Sequence, residues 1–545
     1  MIFKRLDYLL IGFIWLSVLS AALFLRPILP MDETRYFSVA WSMWREENWL
    51  VPTLNGEIYS HKPPLLFWLI KLGWCLFGVV DWWPRVIAPC FGLGCIFLVF
   101  KLSRQIWPKD YLASHLSVLI LLGTLFWMLF GTLTMFDTIL AFFSLVALNG
   151  IVFARQGGGW KGFFLVGVAL GFGLLAKGPA IFLHVFPVAL SAPWWGAGLV
   201  SQSVVPGNRN WYLGILCALI LGLSIALAWA VPASINGGAE YRDAIFWGQS
   251  TGRLVDSFAH ARPFWWYAVW LLPLLFPWVL WLRTWNGVIV TFRNIDGAVL
   301  FCLIWFFSAF IIFSAISGKQ FHYLLPEFPA VALLMGRGLS KIGNTKVGQG
   351  ERLKLASIFI FLGLIILVVL TVLPLASVFQ RLSDFLLFSK PVWAVAIVII
   401  GVIVVIPHQL SIRRTVLIVT AASAVTVIAA HLIIEEVLRK QYDLTPLARE
   451  IRDLQNLGFA IANANKYHGQ FDFLGRLSKP IWVVGQRNGD LSNFLSKNDK
   501  TRVIVYYANV PAHAQPLSSY RFRKYTVAIL DGKDVAFDPE LINRN

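Results

Sequence analysis

Residues 64–79 read PLLFWLIKLGWCLFGV, and the topology of the whole chain turns on whether they cross a membrane. The run has 16 residues, where a spanning helix needs about 20. It carries Lys71 near its middle and is rich in Trp and Phe. A short apolar helix with a central cation and aromatic flanks suits the interface plane better than the hydrocarbon.

Thirteen further apolar segments surround it, at 7–26, 85–100, 111–131, 138–154, 162–176, 179–195, 212–232, 265–282, 298–316, 322–339, 355–378, 391–407 and 415–434. The positive-inside rule arbitrates. With 64–79 outside the count and a cytoplasmic N-terminus, Lys101, Arg104, Lys109, Arg155, Lys161, Arg283, Arg293, Arg413 and Arg414 all fall inside. So does the dense group Arg337, Lys341, Lys346, Arg352 and Lys354. Were 64–79 to span, every one of these loops would move outside. The expectation is an α-helical polytopic membrane protein of about thirteen spans. The first span follows Lys4-Arg5, ends at Arg26-Pro27 without a small-residue cleavage site, and reads as an uncleaved signal anchor.

Composition agrees. Hydrophobic residues make up 58% of the 545 and charged residues 14%, against roughly 45–50% apolar and about 25% charged in soluble proteins. Mean hydropathy is +0.69. A soluble enzyme, a fibrous chain and a disordered one are excluded. The net charge of +18 is spread between apolar segments and forms no stripe, so no nucleic-acid partner is expected. Cys75, Cys90, Cys95, Cys217 and Cys302 all lie in apolar stretches with no Cys-x-x-Cys pair, which supports neither a disulfide framework nor a zinc site.

Several hundred residues remain outside the bilayer, more than a compact carrier needs. The outer segments are 27–84, 131–137, 233–263 and the tail. The chain divides into a membrane domain, 1–436, and an outer domain, 437–545. In the tail, 444–457 reads as an amphipathic helix, 480–485, 501–507 and 520–530 as strands, and 490–496 as a second helix. This pattern predicts a small α/β domain.

The outer boundary also collects the charges. Met31-Asp32-Glu33-Thr34-Arg35-Tyr36 follows the first span, and charges held there are costly unless paired or used. Asp32 is either a helix cap in a solvated turn or a functional carboxylate, with Glu33 beside it. Tyr59-Ser60-His61-Lys62-Pro63-Pro64 precedes the interfacial run, and Lys62 either snorkels as an anchor or holds a phosphate. Asp137 is the sole acidic residue between Tyr111 and Ala239. It is an N-cap or a site residue. Lys177-Gly178-Pro179 and Ser317-Gly318-Lys319-Gln320-Phe321-His322-Tyr323 sit at further outer helix breaks, and Arg253 lies in the long loop. Carboxylates and cations sharing one water–lipid boundary suit a task in which cations hold a lipid-linked phosphate while a carboxylate takes a proton from an acceptor. No Walker A or GxGxxG fingerprint is present, so the energy for transfer would come from the donor's own sugar–phosphate bond.

The Asp-Glu pair after span one, Lys62-Pro63-Pro64 after Tyr59, the isolated Asp137, Leu175-Ala176-Lys177-Gly178-Pro179 and His322-Tyr323-Leu324-Leu325-Pro326 together resemble the integral-membrane GT-C glycosyltransferases. Within them the chain resembles the bacterial lipid A aminoarabinose transferases, related to protein O-mannosyltransferases, over about residues 1–345. The resemblance implies thirteen spans, an outer soluble domain, and a polyprenyl-phosphate-linked sugar as donor. It implies Asp32 as the catalytic carboxylate with Glu33 and Asp137 as further acidic site residues. Arg35, Tyr59, Lys62, Lys177, Arg253, Lys319, His322 and Tyr323 would line the substrate site. It places the protein in the bacterial inner membrane, with site and outer domain facing the periplasm.

Two departures qualify it. His61 stands where the family usually has Glu, and Gln249 and Ser250 stand where it has an acidic–His pair. The family associates those positions with a structural zinc, so no metal and no cofactor are expected here. The sugar stays open, as does the acceptor, whether lipid, glycan or protein. The rival expectation is a polyprenyl-sugar flippase, which predicts inverted repeats and a charged midplane site; no repeat is found, and the charges gather at the outer edge.

Overall fold

The computed structural model describes residues 5–196, 199, 207–248, 261–343, 346–372, 387–406, 409–484 and 491–542. The protein is a multi-pass helical membrane protein with a small C-terminal sheet domain. Every apolar segment expected from the sequence contains helix. Among the described residues, seven helical stretches are long and apolar enough to cross a bilayer. The pair Tyr111–Gly123 and Leu125–Gly131, bent by 63°, makes an eighth. One of the seven, Phe136–Lys177, is two helices, Phe136–Phe153 and Gly159–Lys177, joined where Gly157 takes φ +96°.

Four elements build the mouth that holds these charges. Helix α1 (Arg5–Leu25) ends before Arg26-Pro27; its 21 residues rise roughly 32 Å, enough for the hydrocarbon layer. Helix α2 (Asp32–Arg45) opens on Asp32 and Glu33 and closes on Arg45, the charge order that complements a helix dipole. It buries Phe37, Val39, Ala40 and Met43. Helix α3 (Leu65–Phe77) has 13 residues, roughly 20 Å of rise. Its central Lys71 donates to the carbonyls of Met43 (2.8 Å) and Asn48 (2.6 Å) at the end of α2, and its Nζ lies 4.1 Å from the Trp49 ring centroid. The cation that argued against a span thus bolts α3 onto α2. Helix α4 (Trp82–Ile106) then enters the helical bundle. A helix at Leu282–Arg293 lies where the sequence suggested only a loop; Leu282, Trp285, Ile289 and Phe292 share an exposed face of it.

The loop between α2 and α3 carries a short hairpin, β1 (Thr53–Leu54) with β2 (Glu57–Ile58), and β3 (Lys346–Val347) pairs with β4 (Leu410–Ser411). The helix Ile412–Tyr442 runs on past residue 436, through the expected domain boundary. Beyond it the expected helices appear as Thr445–Asn456 and Leu491–Lys497. The sheet consists of β5 (Ala460–Asn463), β6 (Trp482–Val483), β7 (Thr501–Tyr507), β8 (Ser518–Phe522) and β9 (Tyr525–Asp531), in the order β6-β5-β7-β9-β8. Strand β5 is parallel to β6 and β7; β9 is antiparallel to β7 and β8. Two strand expectations change. The single strand at 520–530 is a hairpin that turns at Arg523, whose φ is +55°. Strand β5 was not expected, because Ala and Asn are weak strand formers; burial of Ile461, Ala462 and Asn463 in the middle of the sheet overrides that preference.

The sheet domain seats on α2. Ser38 Oγ donates to the Gly469 carbonyl (2.6 Å) and accepts from the Phe473 N–H (3.0 Å). Trp41 Nε1 donates to the Leu477 carbonyl (3.0 Å). Asn55 exchanges two hydrogen bonds with the backbone of Ile481, at 2.7 and 2.8 Å. Phe473 stacks on Trp74 and meets Phe37 edge-on. Helix α2 is therefore clamped between α3 and the soluble domain.

Candidate active site

Three helix ends meet at this mouth. Asp32 and Asp137 lie in the first turns of their helices, and Lys177 is the last residue of its own; helix dipoles favour each sign where it stands. The Lys177 ammonium donates to Asp137 Oδ1. His322 Nε2 is 3.9 Å from Asp137 Oδ2. Lys177 Nζ lies 4.5 Å from the Tyr323 ring centroid, and the Tyr323 and His322 rings meet at 5.0 Å. Gly178 at φ +66° and then Pro179 end the helix directly after Lys177, which holds the cation at the break.

Phe136 joins this cluster to Asp32. Its ring centroid is 5.5 Å from Lys62 Nζ, and it packs edge-on against Tyr36 (4.9 Å) and Phe67 (5.7 Å). Lys62 lies within electrostatic reach of both Asp137 and His322. Tyr59 is buried, with its ring against His61 (5.3 Å), and is within electrostatic reach of Arg35. The Asp32 side chain is 54% exposed; its Oδ1 accepts from Arg35 and, at 3.5 Å, from the Tyr36 hydroxyl. Burial, and then the Asp32 charge, push the Tyr36 phenol well above its ordinary value, so it stays a neutral donor.

Asp32, Arg35, Tyr59, Lys62, Asp137, Lys177, His322 and Tyr323 thus gather at one mouth. Two expected members do not join them. Glu33, expected as a catalytic carboxylate, is 2% exposed. It accepts from Arg26 (3.3 Å) and from the backbone N–H groups of Leu29 and Thr134, each at 3.0 Å. Burial pushes its carboxyl up, but Arg26, Arg85 and those two N–H groups outweigh it and hold it below the usual range. It is a staple between α1, α2 and the 131–137 loop. Lys319, expected to bind substrate, is 3% exposed and donates to the carbonyls of Arg262 (3.0 Å) and Ile316; it ties a helix end to the preceding loop. Arg253, Gln249 and Ser250 lie outside the described residues. Among the described residues no three His, Cys, Asp or Glu side chains group as metal ligands do.

The sequence reading missed Tyr36 and Phe136. Each had a signal: Tyr36 stands four residues after Asp32 on one helix, and Phe136 adjoins Asp137. It also missed a buried pair behind the cluster, His184 Nδ1 to Glu327 Oε1 at 2.5 Å, both side chains fully buried.

Residues 61–229 match the family model described as dolichyl-phosphate-mannose-protein mannosyltransferase. The undecaprenyl phosphate-alpha-4-amino-4-deoxy-L-arabinose arabinosyl transferase of Aeromonas hydrophila is 30% identical over 365 residues, 64% of this chain and 62% of that one. Its counterpart in Enterobacter sp. is 28% identical over 351 residues, 62% of this chain and 60% of the relative. The chain thus matches about six-tenths of the length of these relatives. ArnT from Cupriavidus metallidurans, in the apo state, superposes with a TM-score of 0.74 at 18% identity, over 97% of this chain and 98% of that one. The same protein bound to undecaprenyl phosphate gives 0.73 at 19% identity, over 96% and 97%. The fold is that of the GT-C integral-membrane glycosyltransferases. Within that class the chain resembles the aminoarabinose transferases.

Proposed function

We propose that this protein transfers a sugar from a polyprenyl-phosphate donor, of the undecaprenyl phosphate kind, to an envelope acceptor at the outer face of the bacterial inner membrane. The observation that carries the reading is the meeting, at one mouth, of a half-exposed carboxylate, Asp32, with two cations: Lys177 paired with Asp137, and Lys62 over the Phe136 ring that packs on Tyr36. The relatives' names and the likeness to ArnT support the donor class. The family's site and soluble domain, carried over to this topology, face the periplasm.

The chemistry follows from the placement. Lys62 and Lys177 hold the donor phosphate, and Asp137 with His322 keeps Lys177 aimed at it. The acceptor oxygen attacks the sugar's anomeric carbon, and the carbon–oxygen bond to phosphate breaks. The polyprenyl phosphate leaves with its charge met by the two ammonium groups. The acceptor's proton passes to Asp32. With an acceptor phosphate that is already ionised, Asp32 orients it instead. Labelled donor and purified protein in detergent test this directly. A transferase consumes donor without a sealed bilayer, whereas consumption or movement of donor only in sealed vesicles would establish the flippase.

A further inference from the structure

We infer that the C-terminal domain completes the acceptor side of the site, with His468 as an acceptor-binding residue over Asp32 and Lys466 beside it. The inference rests on the transferase reading above and adds to it a residue more than 400 positions from Asp32 in the sequence.

Three observations carry it. The loop that bears His468 is brought onto α2 by a built contact. Gly469 takes φ +71°, and a Cβ there would stand 2.4 Å from Leu54 Cδ1. The left-handed backbone there favours glycine, and its carbonyl accepts from Ser38. The loop is also held from its own side: the His468 N–H donates to Gln470 Oε1 (2.8 Å), and Gln470 Nε2 donates to the Tyr506 hydroxyl (3.0 Å). Finally, His468 is half-buried and lies within electrostatic reach of Arg35, Lys466 and Asp32. Asp32 is coupled both to this loop and, through His322, to the donor cluster.

Lys62 lies over Phe136, whereas the loop of the C-terminal domain reaches Asp32 electrostatically, and the acceptor is placed on the loop's side. There an imidazole can donate to or accept from the acceptor's nucleophilic oxygen, while exposed Lys466 draws an anionic acceptor in. The soluble domain on this account is part of the site rather than an appendage.

The test uses the full chain in nanodiscs, undecaprenyl phosphate as the donor-side probe, and a bacterial envelope lipid extract titrated as acceptor against labelled donor. His468→Ala should raise the half-saturating extract concentration about tenfold, the size of one lost hydrogen bond to a charged group, with the Kd for undecaprenyl phosphate within about twofold of wild type. His468→Gln, which keeps a donor, should recover part of the loss. Thermal midpoints of both variants identify misfolding. Unchanged acceptor saturation in a folded His468→Ala, or a donor Kd weakened in the same proportion, would overturn the inference. Wild-type protein that neither binds undecaprenyl phosphate nor consumes donor would instead remove the transferase reading on which it stands.

Discussion

Glu33→Gln and Asp32→Asn change neighbouring residues by the same chemistry, and the structure expects opposite consequences. Glu33 receives three hydrogen bonds, two of them on Oε1 from Arg26 and Thr134 and one on Oε2 from Leu29. A glutamine replaces one accepting oxygen with a donating NH2, so at least one of those donors faces another donor. It also leaves Arg26, 7% exposed, without its counter-charge. Removing one partner of a buried pair costs about 3–5 kcal/mol. For 545 residues, at about 2.1 cal/mol/K each, that is a fall of about 3–4 °C in thermal midpoint. The transfer rate per folded molecule should stay near wild type. The sign with pH is fixed too. The Glu33 carboxyl sits below its ordinary 4.5 in the folded protein. Its contribution is therefore full above that value and is lost as pH falls through the folded pKa. Asp32→Asn, at a half-exposed carboxylate, should leave the midpoint unchanged and lower transfer by about 10²–10⁴-fold. The assay is a thermal melt by tryptophan fluorescence with labelled-donor turnover on the same preparations. A Glu33→Gln protein that melts like wild type yet loses a hundredfold in rate would refute the staple and restore Glu33 to the chemistry.

Lys62→Ala should weaken undecaprenyl phosphate binding more than Lys62→Arg, which keeps the charge but not the shape; equal and mild effects, read by titration of the lipid, would make Lys62 a membrane anchor. Burial pushes the Asp472 carboxyl up to about 6. Its contribution is then full below the ordinary 3.8 and is lost as pH rises through about 6. The thermal midpoint should therefore fall between about pH 4 and 6, and Asp472→Asn should flatten that fall; a midpoint that rises over the interval by the same amount in both proteins would overturn this sign. Prolonged EDTA should leave transfer largely unchanged, because a monophosphate leaving group has its charge met by lysines; activity lost to EDTA and restored by zinc would make His61 the first residue to mutate. Single cysteines at Ile58 and Asp81, both exposed and on either side of α3, should both react with an impermeant reagent added from outside; Asp81→Cys reacting only from the cytoplasm would mean that α3 spans.

Much of this was legible in the chain, because charge is scarce in it. Asp137 and Lys177 each stand alone among apolar neighbours, and Lys62 stands directly before an apolar run, so each announced itself, and the structure gathers all three at one mouth. Lys71 was legible as an obstacle to spanning, though not as the bolt between α3 and α2. What stayed hidden depends on partners far away in sequence. Glu33 is satisfied by Arg26 and by Thr134, 101 residues on. Lys319 is engaged by the Arg262 carbonyl across 57 residues. Strand β5 exists because β6 and β7 bury it on both sides. The hairpin at Arg523 hid because its turn, Arg523-Lys524, carries no Gly, Pro, Asn or Asp to mark it.

The Asp32–Glu33 pair shows why local chemistry alone could not divide the two roles. Successive residues of an α-helix point about 100° apart, so two adjacent carboxylates in a first turn cannot face one cavity together. One must turn toward the mouth and the other toward the helix bundle. Burying the inward one requires a counter-charge and backbone donors ready to receive it, and these come from the end of α1, from α4 and from the 131–137 loop. The outward one, among the described residues, accepts hydrogen bonds from Arg35 and the Tyr36 hydroxyl of its own helix and is half-exposed. On the proposed mechanism the residue at the start of the helix is the one that does chemistry, and its neighbour keeps that start in place.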